Sequence, residues 1–229
     1  MQTSELKKIN ITGGFWKYFV DVNRANTIPA CDRKNEDTGR IEALKLNWHD
    51  GDPNKPHHFW DSDIAKWLEA AAYSLQSFPD KELETKVDQI IELIAASQDS
   101  DGYFNSYFQQ VESGQRWRNL RDMHELYCAG HLMEAAVAYY EATGKDSLLR
   151  VMIRYADYIK SVFGSGETQL HGYPGHEEIE LALVKMAQAT GNNDYLSLAR
   201  FFVYERGTEP HYFYEVERDC PGDSHNASY

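Results

Sequence analysis

The chain has 229 residues, 42% of them hydrophobic and 26% charged, and a formal net charge of −13. This composition allows one large globular domain, and the negative charge excludes nucleic acid and anionic membranes as natural partners. No apolar run reaches membrane-spanning length. The three cysteines, Cys31, Cys128 and Cys220, are too few and too scattered for a disulfide framework.

The N-terminus, MQTSELKKIN, has no apolar h-region. No signal peptide is expected, and a cytoplasmic location follows as the expectation. Residues 11–30 open on a Gly-Gly turn and continue as an amphipathic stretch, with Phe15, Phe19 and Val22 near one face, that is expected to stop before Pro29. Residues 31–58 are rich in Asp, Asn, Gly, Pro and His and read as a long loop.

Three helical hairpins follow. In the first, Ile64, Trp67, Leu68, Ala71, Ala72 and Leu75 recur at helical spacing, Pro79-Asp80 breaks the pattern, and Val87, Ile90, Ile91 and Ile94 line a return helix. The run from Gln98 to Phe104 reads as a turn in which Gly102 supplies a positive φ. The second hairpin carries Leu126, Leu132, Ala135, Ala136 and Tyr139. It turns at Gly144 and returns through Leu148, Val151, Met152, Tyr155 and Ile159. The third carries Ile179, Leu183, Met186 and Ala187, turns at Gly191, and returns through Tyr195, Leu198, Ala199 and Phe202.

Gly130-His131 and Gly175-His176 lie 45 residues apart, and the turn glycines Gly144 and Gly191 lie 47 apart. Such a period marks an α-helical repeat. The predicted fold is all-α, part of an (α/α)6 toroid with residues 1–229 as the N-terminal portion. Only 211–216 reads as extended. A toroid of this type needs about six hairpins, so the open edge is expected to expose apolar side chains suited to self-association.

Three polar clusters are candidates for chemistry. His124, Cys128 and His131 share one helical face, and these residue types can ligate zinc. The favoured reading makes Cys128 a buried small side chain and His131 a core histidine bonded to backbone. His124, at the helix start, is the better candidate for facing a ligand. His176 follows the Gly172–Gly175 loop at a second helix start, where a neutral imidazole offers one donor and one acceptor to a sugar hydroxyl. Glu177 and Glu178 there complement the helix dipole. In the third cluster Trp60 is a candidate for stacking on a sugar ring. Asp61 or Ser62 is expected to cap the helix, in preference to a catalytic carboxylate role.

The runs ITGGFWK, FWDSDIAKWLEAAAYSL, QDSDGYFNSYF, HELYCAGHLMEAAVAYYEATG and GHEEIELALVKMAQATG together resemble the N-terminal part of the β-L-arabinofuranosidase family, glycoside hydrolase family 127. The resemblance runs from about Ile11 to Glu217. It implies an (α/α)6 catalytic barrel followed by β-sandwich domains, and release of terminal β-L-arabinofuranose from plant glycans. It also implies zinc as the cofactor of full-length members. That zinc holds a nucleophilic cysteine thiolate beside a glutamate acid/base, and the reaction passes through a thioglycosyl intermediate. His124 and His176 match two sugar-binding histidines of the family. The matching zinc ligands and catalysts fall beyond this chain, so no catalytic residue and no metal ligand is assigned, and the isolated chain is expected to be inactive. The alternative is a non-catalytic helical module that binds a glycan or a partner chain.

Overall fold

A computed structural model describes residues 11–213. Ten α-helices run in chain order: α1 (Gly14–Val22), α2 (Ile28–Asp37), α3 (Arg40–Ala43), α4 (Trp60–Ser77), α5 (Lys81–Ser97), α6 (Ser106–Gln110), α7 (Glu125–Thr143), α8 (Ser147–Val162), α9 (Ile179–Thr190) and α10 (Asp194–Glu205). Among the described residues there is no strand, only an isolated bridge between Phe163 and Leu170.

The expected hairpins are α4/α5, α7/α8 and α9/α10. They stand in two layers. Helices α4, α7 and α9 pack side by side as an inner layer, while α5, α8 and α10 lie behind them. Each return helix buries one face, as with Leu148, Met152, Tyr155, Ala156 and Ile159 on α8. Helix α7 is different. It is buried almost all round, because α4, α8 and α9 cover three of its sides. Alanines make this possible: Ala65, Ala71 and Ala72 on α4 and Ala129, Ala135 and Ala136 on α7 are all buried, and their short side chains let helix axes approach.

Local chemistry sets the helix ends. Asp80 caps α5, its carboxylate accepting from the Glu82 and Leu83 N–H groups at 3.1 Å. Gly144 (φ 75°) and Gly191 (φ 73°) end α7 and α9 in the left-handed conformation. The threonine before each repeats the same pair of bonds. Thr143 Oγ1 donates to the Tyr139 carbonyl and accepts from Lys145 N; Thr190 Oγ1 donates to the Met186 carbonyl and accepts from Asn192 N. The repeat is therefore one of turn chemistry as well as of spacing. Gly102 has φ 97°, as its turn requires, and a β-carbon there would lie 2.5 Å from the Arg154 carbonyl oxygen.

The N-terminal third departs from the sequence reading. Helix α1 ends at Val22, before Pro29, but the chain does not leave the helical path: a π-helical turn (Asn23–Thr27) leads into α2, where proline sits in the first turn. The helical path is continuous there, with the Ile28 N–H donating to the Asn23 carbonyl, and the wider π-helical turn ahead of Pro29 takes up the irregularity that a residue without a donor imposes. Residues 31–37 and 40–43 are helical, in α2 and α3, while 44–58 form the expected loop. Trp67 Nε1 donates to the Ile28 carbonyl at 3.0 Å and ties α2 to the inner layer. At 211–216, Tyr212 and Phe213 lie in a π-helical turn instead of an extended segment, and residues 214–216 lie outside the described range.

Candidate active site

The inner helices run in the same direction, so their N-termini share one face of the array. The residues just before them meet there: His57, His58 and Phe59 before α4, His124 before α7, His176 before α9. The His124 and His176 rings are 4.9 Å apart between centroids. His58 lies 5.4 Å from His124, and Phe59 6.1 Å from it. Tyr127, one turn into α7, completes the group at 5.5 Å from both His124 and His176. Lys66 donates to the Tyr127 hydroxyl at 2.7 Å.

Two loops hold the pair together. Gly175 N–H donates to the Leu120 carbonyl at 3.0 Å. A β-carbon at 175 would overlap the Arg121 carbonyl, so only glycine lets the 172–175 loop approach the 119–122 loop this closely. Asp122, buried in that second loop, is paired with Arg121 at 2.9 Å.

His124 itself has φ 59°, a left-handed conformation that costs a residue with a β-carbon about 1–2 kcal/mol. Its Nδ1 faces the Asp122 carbonyl. A carbonyl only accepts, so Nδ1 carries the proton and the neutral ring presents Nε2 as an acceptor. Burial holds the His124 pKa below the ordinary histidine value, and the nearby His176 pushes the same way. The ring is thus neutral near pH 7, fit for hydrogen bonding with a sugar hydroxyl.

Glu125, the next residue, is wholly buried. Its carboxyl accepts from Tyr103 Oη and from Trp117 N, both at 2.6 Å, and so locks the 117–124 segment to the core. Burial pushes its pKa up to about 8.

The Arg40 guanidinium lies 5.0 Å from the Trp60 ring. The Phe59 ring, 37% exposed, joins the histidines, 4.2 Å from His57. Neither Asp61 nor Ser62 caps α4. Asp61 Oδ2 instead accepts from the Ser106 N–H at 2.8 Å, holding α6, and the Ser62 hydroxyl donates to the Phe59 carbonyl. Burial pushes Asp61 up to about 6. Asp63 pairs with Arg40 at 2.8 Å, so the two aspartates serve separate partners.

His131, Glu134 and Glu178 form a further cluster. His131 Nδ1 faces these two carboxylates where the sequence reading expected a backbone partner. Burial and the Lys66 charge push the His131 pKa down to about 4. Burial, together with the Glu134 carboxylate, pushes Glu178 up to about 8. Tyr127, Phe59 and this cluster escaped sequence reasoning. The Tyr127/His131 spacing of i, i+4 was the available signal.

The model of the β-L-arabinofuranosidase GH127 catalytic domain matches residues 8–227. The chain belongs to this glycoside hydrolase family. It is 41% identical over 171 residues to the non-reducing end β-L-arabinofuranosidase of Bifidobacterium longum subsp. longum, a match covering 72% of this chain and 26% of that protein. Among solved structures it resembles a GH127 β-L-arabinofuranosidase from Geobacillus stearothermophilus T6 (TM-score 0.85, 49% identity, 89% of this chain and 33% of that one). A second GH127 β-arabinofuranosidase gives a TM-score of 0.83 at 36% identity, over 88% and 33% of the two chains. This family member thus spans about a quarter to a third of the length of these relatives.

The family implies a thiolate-bound zinc. The described cysteines do not fit one. The Cys128 thiol is wholly buried and donates to the His58 carbonyl at 3.5 Å, and burial pushes its pKa well above the ordinary thiol value. Cys31 is exposed on α2.

Proposed function

We propose that this chain supplies a sugar-binding face of a β-L-arabinofuranosidase, where His124 and His176 side by side hydrogen-bond a terminal β-L-arabinofuranose, and that it does not hydrolyse it alone. The 4.9 Å approach of these two rings, each in the segment just before an inner helix, carries the reading. The neutral His124 imidazole and the His176 ring nitrogens offer hydrogen bonds to neighbouring ring hydroxyls, and Phe59 and Tyr127 offer apolar faces to the sugar's C–H side. Neither a nucleophile nor a general acid is assigned among the described residues.

The test is histidine-resolved NMR of the 229-residue chain titrated with a chromogenic β-L-arabinofuranoside, with release of the chromophore followed in parallel. The expected result is saturable shifts at His124 and His176 with no release. Unmoved resonances at both histidines would sink the binding assignment, and steady release would sink the claim of inactivity.

A second reading, a module that binds a partner chain or itself, is favoured by the exposure of Phe15, Trp16, Tyr18 and Phe19 on α1. Self-association would appear as a sedimentation coefficient that rises with concentration and is flattened by Trp16→Glu. A concentration-independent monomer value would remove the self-association form of this reading.

A further inference from the structure

Two helical turns along α7 from His124, the side chains of His131 and Glu134 meet Glu178, the residue before α9. His131 Nδ1 lies 3.0 Å from Glu178 Oε1 and 3.7 Å from Glu134 Oε2. One donor atom from each of the three lies within 4.8 Å of the others. Two donors bound at 2.0–2.1 Å to a tetrahedral ion stand about 3.4 Å apart. The two His131–carboxylate separations straddle that value.

The cluster is enclosed. The side chains of His131, Glu134 and Glu178 are only 13%, 8% and 13% exposed. His131 Nδ1 and Glu178 Oε1 are both buried, and they face each other without hydrogen-bond geometry. Buried polar atoms left in that state are costly, so a third group between them would relieve both. The two Glu134 oxygens divide their roles: Oε1 receives the Lys185 ammonium, while Oε2 is turned towards His131. Gly130 makes room for the third donor. A β-carbon there would lie 2.8 Å from Glu178 Cγ and 3.0 Å from Ile179 Cα.

We propose that His131 Nδ1, Glu134 Oε2 and Glu178 Oε1 bind one divalent transition-metal ion of the zinc type, with a fourth position left to water. One imidazole and two carboxylates suit such an ion, and a neutral His131 has a lone pair to give. No thiolate takes part. Metal binding here is independent of the sugar reading. The competing arrangement is a closed ion-pair network, in which Lys185, against Glu134 and 3.7 Å from Glu69, supplies all the positive charge needed.

The whole 229-residue chain, stripped with a chelator, is titrated with zinc chloride by calorimetry and with cobalt(II) chloride by visible absorption. The expected result is one equivalent bound, a tetrahedral cobalt spectrum without a sulfur-to-metal charge-transfer band, and a rise in Tm with added zinc. His131→Ala and Glu178→Gln should each weaken binding at least tenfold, while His124→Ala and Cys128→Ser leave it unchanged. Circular dichroism checks that each variant is folded, and Glu178→Asp provides a milder change at the same position, expected to weaken binding less than Glu178→Gln. No saturable binding by the unsubstituted chain would establish the Lys185 network and overturn the site. Binding that survives both His131→Ala and Glu178→Gln, or a charge-transfer band abolished by Cys128→Ser, would overturn it equally.

Discussion

The Arg121 carbonyl oxygen occupies the space that a β-carbon on residue 175 would need. Backbone cannot rotate away as a side chain can. Gly175→Ala must therefore separate the two loops that place His124 beside His176. The expected cost is at least about 3 kcal/mol, at the upper end of single substitutions, because the overlap is with main chain. Chemical denaturation of the purified variant measures it. A change within 0.5 kcal/mol, in the range of ordinary surface substitutions, would show that the loops are not held together in this way.

His124 pairs strain with function. Glycine adopts its positive φ freely, whereas alanine does not. His124→Gly should be more stable than His124→Ala by about 1 kcal/mol. Both should lose the sugar-dependent shift at His176, since neither retains Nε2. Thermal melts and the same NMR titration separate the two effects. Equal stability of the two variants would contradict the backbone conformation described here.

Glu125 sets a pH dependence of known sign. Burial raises its folded pKa to about 8, above the unfolded value near 4.5. Between these values the folded state binds the extra proton, so this group's contribution to stability falls as pH rises through that window. The slope approaches about 1.4 kcal/mol per pH unit where the states differ by one proton. Glu125→Gln mimics the protonated acid: its oxygen accepts from Trp117 N and its amide donates to Tyr103 Oη. The variant should lose much of the decline between pH 5 and pH 8. Parallel wild-type and variant curves across that range would show that Glu125 does not titrate there.

The caps make a paired test. Asp80→Ala should cost about 1 kcal/mol, since two N–H groups at the start of α5 lose their acceptor. Asp61→Ala should cost more, about 1–3 kcal/mol, because it strands the buried Ser106 N–H. Urea unfolding of both variants ranks them. A smaller effect at Asp61 than at Asp80 would argue that Asp61 does not hold α6.

The three hairpins, their order and their turn glycines were legible in the chain because helix periodicity and left-handed turns are local properties. Residues such as Leu68, Leu132 and Leu183 sit at spacings that only a helix buries together. The start of α2 was not legible, since the helical path reaches Pro29 through a π-helical turn, and nothing local in the sequence announces such a turn. Asp61 was misread for a related reason. Its nearest N–H groups in sequence belong to α4, but its acceptor oxygen meets Ser106, 45 residues away.

His124 and His176 were each recognisable from their own motifs. Their juxtaposition was not, nor the place of the Phe59 ring beside them. The helical repeat and the family are written in short stretches that can be read one at a time. Which rings and carboxylates share a site emerges from the folded chain alone. That depends on how closely backbones can approach, and here the approach is set by glycines 130 and 175 against partners up to about 50 residues away in the chain.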